Sequence, residues 1–399
     1  MRSIIPPVAG RLQQLPPYLF VQIDAMKNRL LRQGRDVIDM GVGDPDEPTP
    51  GFVLQAMVKA IKDRANHQYP SNKGLAVFRE AIARWYRKRF GVTLDPAAEI
   101  LPLIGSKEGI AHLPLAYVNP GDRVLCPDPC YPPYRTGTIL AGGIPVSFPL
   151  FSKNQFLPDL DQLKKQARKA KLLFLNYPNN PTAAVATLGF FRDAVAFARK
   201  TKVPVCHDAA YSEIGYRGFR HPSFLQAPGA KEVGIEFHSL SKTFNMTGWR
   251  IGWVCGNKQM IAALAKVKSN IDSGVFQAIQ LAGIQALRDN GGHLNRMLRI
   301  YETRMNVMVQ ALQKAGWPVT PPKATFYLWT PIPSSKRSQE VAADLLEKQA
   351  IVATPGVGFG RYGEGFIRFS LSIPTPRIRE AARRIGRLAV WPYTTASSP

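Results

Sequence analysis

Cysteine is scarce in this chain: Cys126, Cys130, Cys206 and Cys255 are the only four in 399 residues, and no two of them form a C-x-x-C pair. The six histidines include none at i, i+4 spacing. A disulfide-stapled scaffold and a helical histidine metal site are therefore not expected, no metal is called for, and a reducing, cytoplasmic compartment fits best. The sequence also lacks any run of eighteen apolar residues, and its first residues lack the apolar stretch of a secretory signal, so no membrane segment is expected. Acidic residues are few as well, 28 against 52 Lys and Arg, which leaves a net charge of +24. Such an imbalance admits a nucleic-acid partner or the recruitment of anionic small molecules. The basic residues do not cluster, however; in Arg79 to Arg89 and Lys164 to Lys171 they interleave with the apolar positions of amphipathic helices. That is the pattern of a solvated surface, and a nucleic-acid partner is not expected.

What is present is a chain with 45% hydrophobic residues, long enough for two domains and a large core. Short apolar runs alternate with helical patterns from about residue 50 to 290, which predicts an α/β fold with a mostly parallel central sheet flanked by helices. Arg123 to Pro127, Lys171 to Asn176, Val203 to Asp208 and Gly234 to Leu240 read as strands. Ala76 to Phe90 and Thr187 to Lys202 read as helices, the first stopped by Gly91. From about residue 291 a long helical pattern leads to strand-like runs at Ala324 to Thr330 and Gly365 to Ser372, a smaller α+β domain that the short run Val37 to Val42 joins. The expected division is an arm and part of the small domain in 1–47, a large cofactor-binding domain in 48–290, the small domain in 291–393 and a frayed tail in 394–399. Arg11 to Phe20, with its prolines, reads as the arm.

Several of these strands end on polar residues. Asn180 follows the strand ending at Asn176, Asp208 closes the next, and Lys242 follows the run ending at Leu240. Open parallel sheets bind ligands at that edge. A lysine in Ser239-Leu240-Ser241-Lys242, with Asp208 34 positions earlier, describes a pocket for pyridoxal phosphate. The lysine amine can condense with the cofactor aldehyde, and an aspartate can keep the ring nitrogen protonated. Lys242 must be neutral to attack, and a neighbouring cation such as Arg250 would destabilise its ammonium form. Arg250 can also bind the phosphate, and Ser239 and Ser241, alternating about Leu240, would share one face of an extended segment and donate hydroxyls to it. Ser106 and Lys107, after Gly105 and ahead of a helical segment, would offer phosphate a helix N-terminus. Tyr131, among prolines, can stack on the ring. Tyr211 and Asn180 can donate to the cofactor's phenolate oxygen, and Arg368, a cation inside an apolar run, requires an anion such as a substrate carboxylate. Taken singly, each has a plainer reading as a cap, a turn residue or a surface charge; only together do they specify this chemistry. Gly358-Phe359-Gly360-Arg361-Tyr362-Gly363 matches G-x-G-x-x-G, but a strand-like run follows it, so it reads as a flexible loop ahead of Arg368 and not as a dinucleotide site.

Asn179-Asn180-Pro181-Thr182, Asp208-Ala209-Ala210-Tyr211 and Ser239-Leu240-Ser241-Lys242 with Arg250 resemble, in spacing and order, the motifs of class I/II aminotransferases of fold type I, over nearly the whole chain. Within that family, Gln68 to Gly74, Leu101 to Gly109 and Asn176 to Thr182 resemble the LL-diaminopimelate aminotransferases. The resemblance implies transfer of an amino group from an amino acid donor to 2-oxoglutarate in ping-pong fashion, with Lys242 as the base at the α-carbon. It places the reaction in lysine and cell-wall precursor synthesis. It further implies a homodimer in which Tyr69 reaches the phosphate in the neighbouring subunit, and a Gly43 backbone that meets the substrate carboxylate. One departure is Ala183, where the family usually has glycine. Two rival readings stay open on the residues alone: another reaction of the same cofactor, such as an alanine, aspartate or aromatic aminotransferase or a carbon-sulfur β-lyase, and a cofactor-sensing regulator that binds DNA.

Overall fold

The computed structural model describes residues 5–15 and 21–387. Its strands are β1 (Ile38–Asp39), β2 (Ile100–Leu103), β3 (Arg123–Asp128), β4 (Ile144–Pro149), β5 (Ala170–Asn176), β6 (Val205–Asp208), β7 (Gly234–Ser239) and β8 (Gly252–Gly256), followed by β9 (Tyr327–Pro331), β10 (Ile351–Val352), β11 (Thr354–Pro355) and β12 (Phe366–Ser370). Seven of them form one sheet in the order β2-β8-β7-β6-β5-β3-β4. All neighbours pair in parallel except those of β8, which runs antiparallel to both β7 and β2.

The continuous apolar runs of the central strands follow from burial on both faces. Successive side chains of a strand point to opposite sides. Accordingly, Leu173, Leu175 and Val205 join one hydrophobic cluster with Phe78, Ile82 and Phe191, while Leu172, Phe174 and Cys206 join another with Ile110, Leu113 and Leu264. Helix Ala76–Phe90 presents Phe78, Ile82 and Tyr86 to the first cluster and ends at Gly91 in the left-handed conformation, as its pattern predicts. Helix Leu188–Thr201 is capped by the Thr187 side chain.

A third cluster collects Ile38 and Met40 from the N-terminal segment, Met297, Tyr301, Met305, Met308 and Leu312 from the helix Gly292–Lys314, Phe326 just ahead of β9, and Leu328, Ile367 and Phe369 from strands β9 and β12. β11, β12 and β9 form a three-stranded antiparallel sheet, and β1 pairs in parallel with β10. Tyr211, Ile214 and Tyr216, which follow β6, also pack into this cluster, so the chain leaving the large sheet is held by the small one.

Two local expectations change. The run read as a strand through Leu240 stops at Ser239, and Leu240–Thr243 turns into a short helix. The glycine-rich 358–363 segment folds as 3-10 turns, Gly356–Phe359 and Arg361–Gly363, tied down by the Tyr362 N–H bond to Asp128 Oδ1 at 3.0 Å. Of the arm, Gly10–Gln13 is a short helix, while residues 16–20 and the tail 394–399 lie outside the described residues.

Candidate active site

A cavity of about 680 Å³ opens at the carboxyl ends of the parallel strands. Ser106, Lys107, Tyr131, Asn180, Asp208, Tyr211, Ser239, Ser241, Lys242, Arg250, Arg368 and Gly43 all line it. Tyr69 does not; its side chain stands 90% exposed elsewhere on the surface.

The reversed strand β8 assembles one end of this cavity. Gly252 pairs with Leu103 of β2 on one side and with Ser239 of β7 on the other. That register brings Arg250, two residues before Gly252, to the start of helix Ser106–Tyr117, where a Cβ added to Gly105 would overlap the Arg250 guanidinium. Gly252 itself has no room for a side chain, since a Cβ there would lie 2.5 Å from the His238 carbonyl oxygen. The first amides of a helix have no partner within it, so Ser106 and Lys107 add N–H groups to the Arg250 cation. Ser239 Oγ accepts the Ser241 N–H at 3.1 Å and caps the Leu240–Thr243 turn. Both serines line the cavity, but through this turn and not through the pleat alternation expected from the sequence.

At the centre, Lys242 Nζ donates to the Gly43 carbonyl at 2.9 Å. Burial pulls its pKa down to about 8; Asp44 opposes the shift, and Arg250 and Arg368 add to it. Loss of hydration thus weighs more than the cation expected to do this work. Asp208 is buried, its Oδ2 accepting from the Tyr134 hydroxyl at 2.8 Å and its Oδ1 from the Ala210 N–H at 3.2 Å. Burial raises its pKa, and the Tyr134 and Ala210 hydrogen bonds work against that rise. Among the described residues no Lys or Arg forms an ion pair with it.

Arg368, also buried, donates from Nη1 to Asn180 Oδ1 at 2.7 Å and from Nη2 to the Gly41 carbonyl at 2.6 Å, while its Nε has no hydrogen-bond partner. Its guanidinium carbon lies 4.3 Å from the Tyr327 ring centroid and 4.6 Å from that of Phe359. The segment carrying Gly41 and Gly43 is pinned by residues far along the chain. Buried Arg304 grips Asp46 with two bonds of 2.6 and 2.8 Å, and Ser372 Oγ accepts the Asp44 N–H at 3.1 Å.

A family profile described as aminotransferase class I and II matches residues 35–385. The chain belongs to that family. As an aminotransferase it is 53% identical over 378 residues to the LL-diaminopimelate aminotransferase of Desulforudis audaxviator, covering 94% of this chain and 96% of that protein. It is also 53% identical over 381 residues to the enzyme of the same name from Aquifex aeolicus, covering 95% and 98%. Among solved structures, substrate-bound BacF from Bacillus subtilis superposes with a TM-score of 0.93 at 34% identity, covering 98% of this chain and all of that one. A probable N-succinyldiaminopimelate aminotransferase from Thermus thermophilus reaches a TM-score of 0.87 at 38% identity, covering 92% and 99%.

This aminotransferase fold also exposes residues that the sequence reading passed over. Tyr134 and Asn176 hold the Asp208 end: the Asn176 side chain donates to the Asp208 carbonyl at 2.8 Å and accepts the Asn180 N–H at 2.8 Å. Tyr327, whose hydroxyl is 2.8 Å from that of Tyr211, stands at the other end. Nothing local marks these residues, because their partners lie far away in sequence. Ala183 adopts φ +58°, a left-handed conformation in which glycine is unstrained. Together, an amine of lowered basicity, a buried carboxylate lacking an ion-paired cation, and an anion cradle at a helix N-terminus fit a phosphorylated pyridine aldehyde.

Proposed function

We propose that this aminotransferase is an LL-diaminopimelate aminotransferase, working in the cytoplasm and passing an amino group between that diamino acid and 2-oxoglutarate with pyridoxal phosphate as cofactor. The observation that carries the chemistry is the convergence of Asp208, the Lys242 to Arg250 stretch and Arg368, from three separate segments, on one cavity. For the substrate, support comes from identities of 53% to relatives of that name, against 38% or less to the structural neighbours of other description.

In this reading, residues 48–290 form the cofactor-binding domain, and 291–393, with part of 1–47, form the small domain. Bound pyridoxal phosphate supplies the aldehyde that takes up the amino group and an electron-withdrawing ring beside the substrate α-carbon. The chain does the rest. Arg250, Ser239, Ser241, Ser106 and Lys107 hold the phosphate, and Tyr131 faces the ring. Asp208 keeps the ring nitrogen's proton, the cation its buried carboxylate lacks. Tyr211 and Asn180 donate to the phenolate oxygen. Arg368, with a donor to spare, binds the α-carboxylate, and the Gly43 backbone meets the same group. Lys242 takes the proton from the α-carbon and returns it to the cofactor carbon, acting as a base because its surroundings disfavour the ammonium form. The first oxo acid leaves before the second substrate enters.

We further propose a homodimer in which Tyr69 completes the phosphate site of the neighbouring subunit. Helix Gly51–Ile61 leaves Leu54, Val58 and Ile61 exposed at i, i+4, i+7 spacing, an apolar stripe suited to a second copy, and Tyr69 is exposed close by in sequence.

The test is a screen of the purified protein with 2-oxoglutarate and a panel of donors, including LL- and meso-diaminopimelate, alanine, aspartate and aromatic amino acids, read as oxo acid formation. LL-diaminopimelate should give the highest kcat/KM. A higher value for another donor would overturn the substrate, and failure of borohydride to trap cofactor on Lys242 would overturn the chemistry.

A further inference from the structure

We propose that Tyr327 is a positioning residue that couples the two ends of the reacting centre, holding the Tyr211 phenol on one side and the Arg368 guanidinium on the other. The inference rests on the reading above, in which Tyr211 faces the cofactor and Arg368 the substrate carboxylate.

Tyr327 is 2% exposed and sits on β9, next to the strand that carries Arg368, with Tyr327 paired to Ser370. Its hydroxyl meets that of Tyr211 at 2.8 Å, and the two rings are edge to face, with centroids 5.5 Å apart at 68°. The Arg368 guanidinium carbon lies 4.3 Å from its ring centroid. Gly43, whose carbonyl holds Lys242 Nζ, has its Cα against the same phenol, because a Cβ there would overlap the Tyr327 hydroxyl. One side chain therefore touches the donor to the cofactor, the carboxylate anchor and the backbone that holds the base.

A hydrogen bond between two phenols has one donor. When Tyr211 gives its proton to the cofactor's phenolate oxygen, the remaining bond is Tyr327 donating to the Tyr211 oxygen. Donors in such a chain strengthen one another in a buried site. Tyr327 thus makes Tyr211 a better donor and stabilises the anionic oxygen it faces. The ring of Tyr327 does separate work, offering its face to the Arg368 cation and keeping that group in place.

The two roles can be parted by substitution. Tyr327→Phe removes the hydroxyl and keeps the ring; Tyr327→Leu removes both. Each variant and the wild type would be loaded with pyridoxal phosphate and the visible band of the bound cofactor titrated against pH, alongside kcat and KM for the preferred donor and the melting temperature of each cofactor-free protein. Tyr327→Phe should move the titration midpoint upward by about half to one pH unit, the size of one neutral hydrogen bond, and lower kcat with KM unchanged within about twofold. Tyr327→Leu should show the same spectral shift and also raise KM by roughly 5- to 30-fold. In a Tyr211→Phe background, Tyr327→Phe should move the midpoint no further, which a merely structural role would not produce.

A wild-type midpoint retained in Tyr327→Phe overturns the inference, as does an equal rise in KM for the two variants. If wild type itself takes up no cofactor and shows no titrating band, the reading of the cavity fails, and this inference with it. The two failures are told apart by the wild-type titration alone.

Discussion

Lys242 offers the most direct check on the physical account of the site. A lysine in water holds its proton up to about pH 10.4, and burial in this cavity brings Lys242 down to about 8. At about pH 7.5, roughly a quarter of the side chains are then neutral, against about one in a thousand for an unperturbed lysine, a gain of some two hundredfold in reactive amine. The sign for stability follows from the depressed value: the contribution is present above the unfolded pKa and is lost as pH falls from there through about 8. Cofactor-free protein should accordingly melt higher as pH rises through that window. The direct assay is competitive labelling of the cofactor-free protein with an amine-acylating reagent across pH, with Lys242 quantified by peptide mapping. Its modification should rise with a midpoint near 8. Replacing Arg250 or Arg368 by Met should move the midpoint up and Asp44→Asn should move it down, each by less than the whole shift, because burial is the largest cause. A wild-type midpoint at the value of free lysine would refute the burial argument. Full recovery of that value in Arg250→Met alone would refute the ranking of causes.

Arg368→Met should raise KM for the amino donor by roughly 10- to 100-fold, the loss of one charge-assisted hydrogen bond or more, and an unchanged KM would remove it from the carboxylate site. Tyr134→Phe deprives Asp208 of its hydroxyl donor, so its already raised pKa should climb further. Because Asp208 must be ionised to pair with a protonated ring nitrogen, the pH at which cofactor binding tightens should move up with it, and fluorescence titration of the cofactor at several pH values would show whether it does. The same group contributes to the stability of the cofactor-free protein below the unfolded value of 3.8 and loses that contribution as pH rises through its higher folded value. Ala183→Gly relieves a φ of +58° and should stabilise the protein by up to about 1 kcal/mol after the entropy of the added glycine is counted; a lower melting temperature would contradict the strain.

Much of this molecule follows from local pattern. Helix Ala76–Phe90 and its Gly91 stop, the long helix from residue 292 and the buried runs of β3, β5 and β6 appear where periodicity and flanking residues put them, because each is decided by which faces must leave water. Asp208 and Lys242 were readable for a related reason, since polar residues closing apolar runs of a parallel sheet gather at one edge.

Strand order lies outside such patterns. β8 runs against both of its neighbours, and that reversal carries Arg250 to the start of the helix at Ser106, a meeting that neither segment's own residues specify. The turn at Leu240–Thr243 also replaced the pleat expected for Ser239 and Ser241, because a short run of alternating residues looks alike whether the strand continues or a helix begins. Tyr134 and Tyr327 stayed unnoticed until folding set their hydroxyls against Asp208 and Tyr211, 74 and 116 residues away. Sequence by itself determined which segments fold and which chemistry they can serve, since helix period, strand burial and side-chain type are local properties. Only the tertiary structure decided which groups act on one another, because a hydrogen bond or a lost hydration shell depends on what lies within a few ångströms, whatever the distance along the chain.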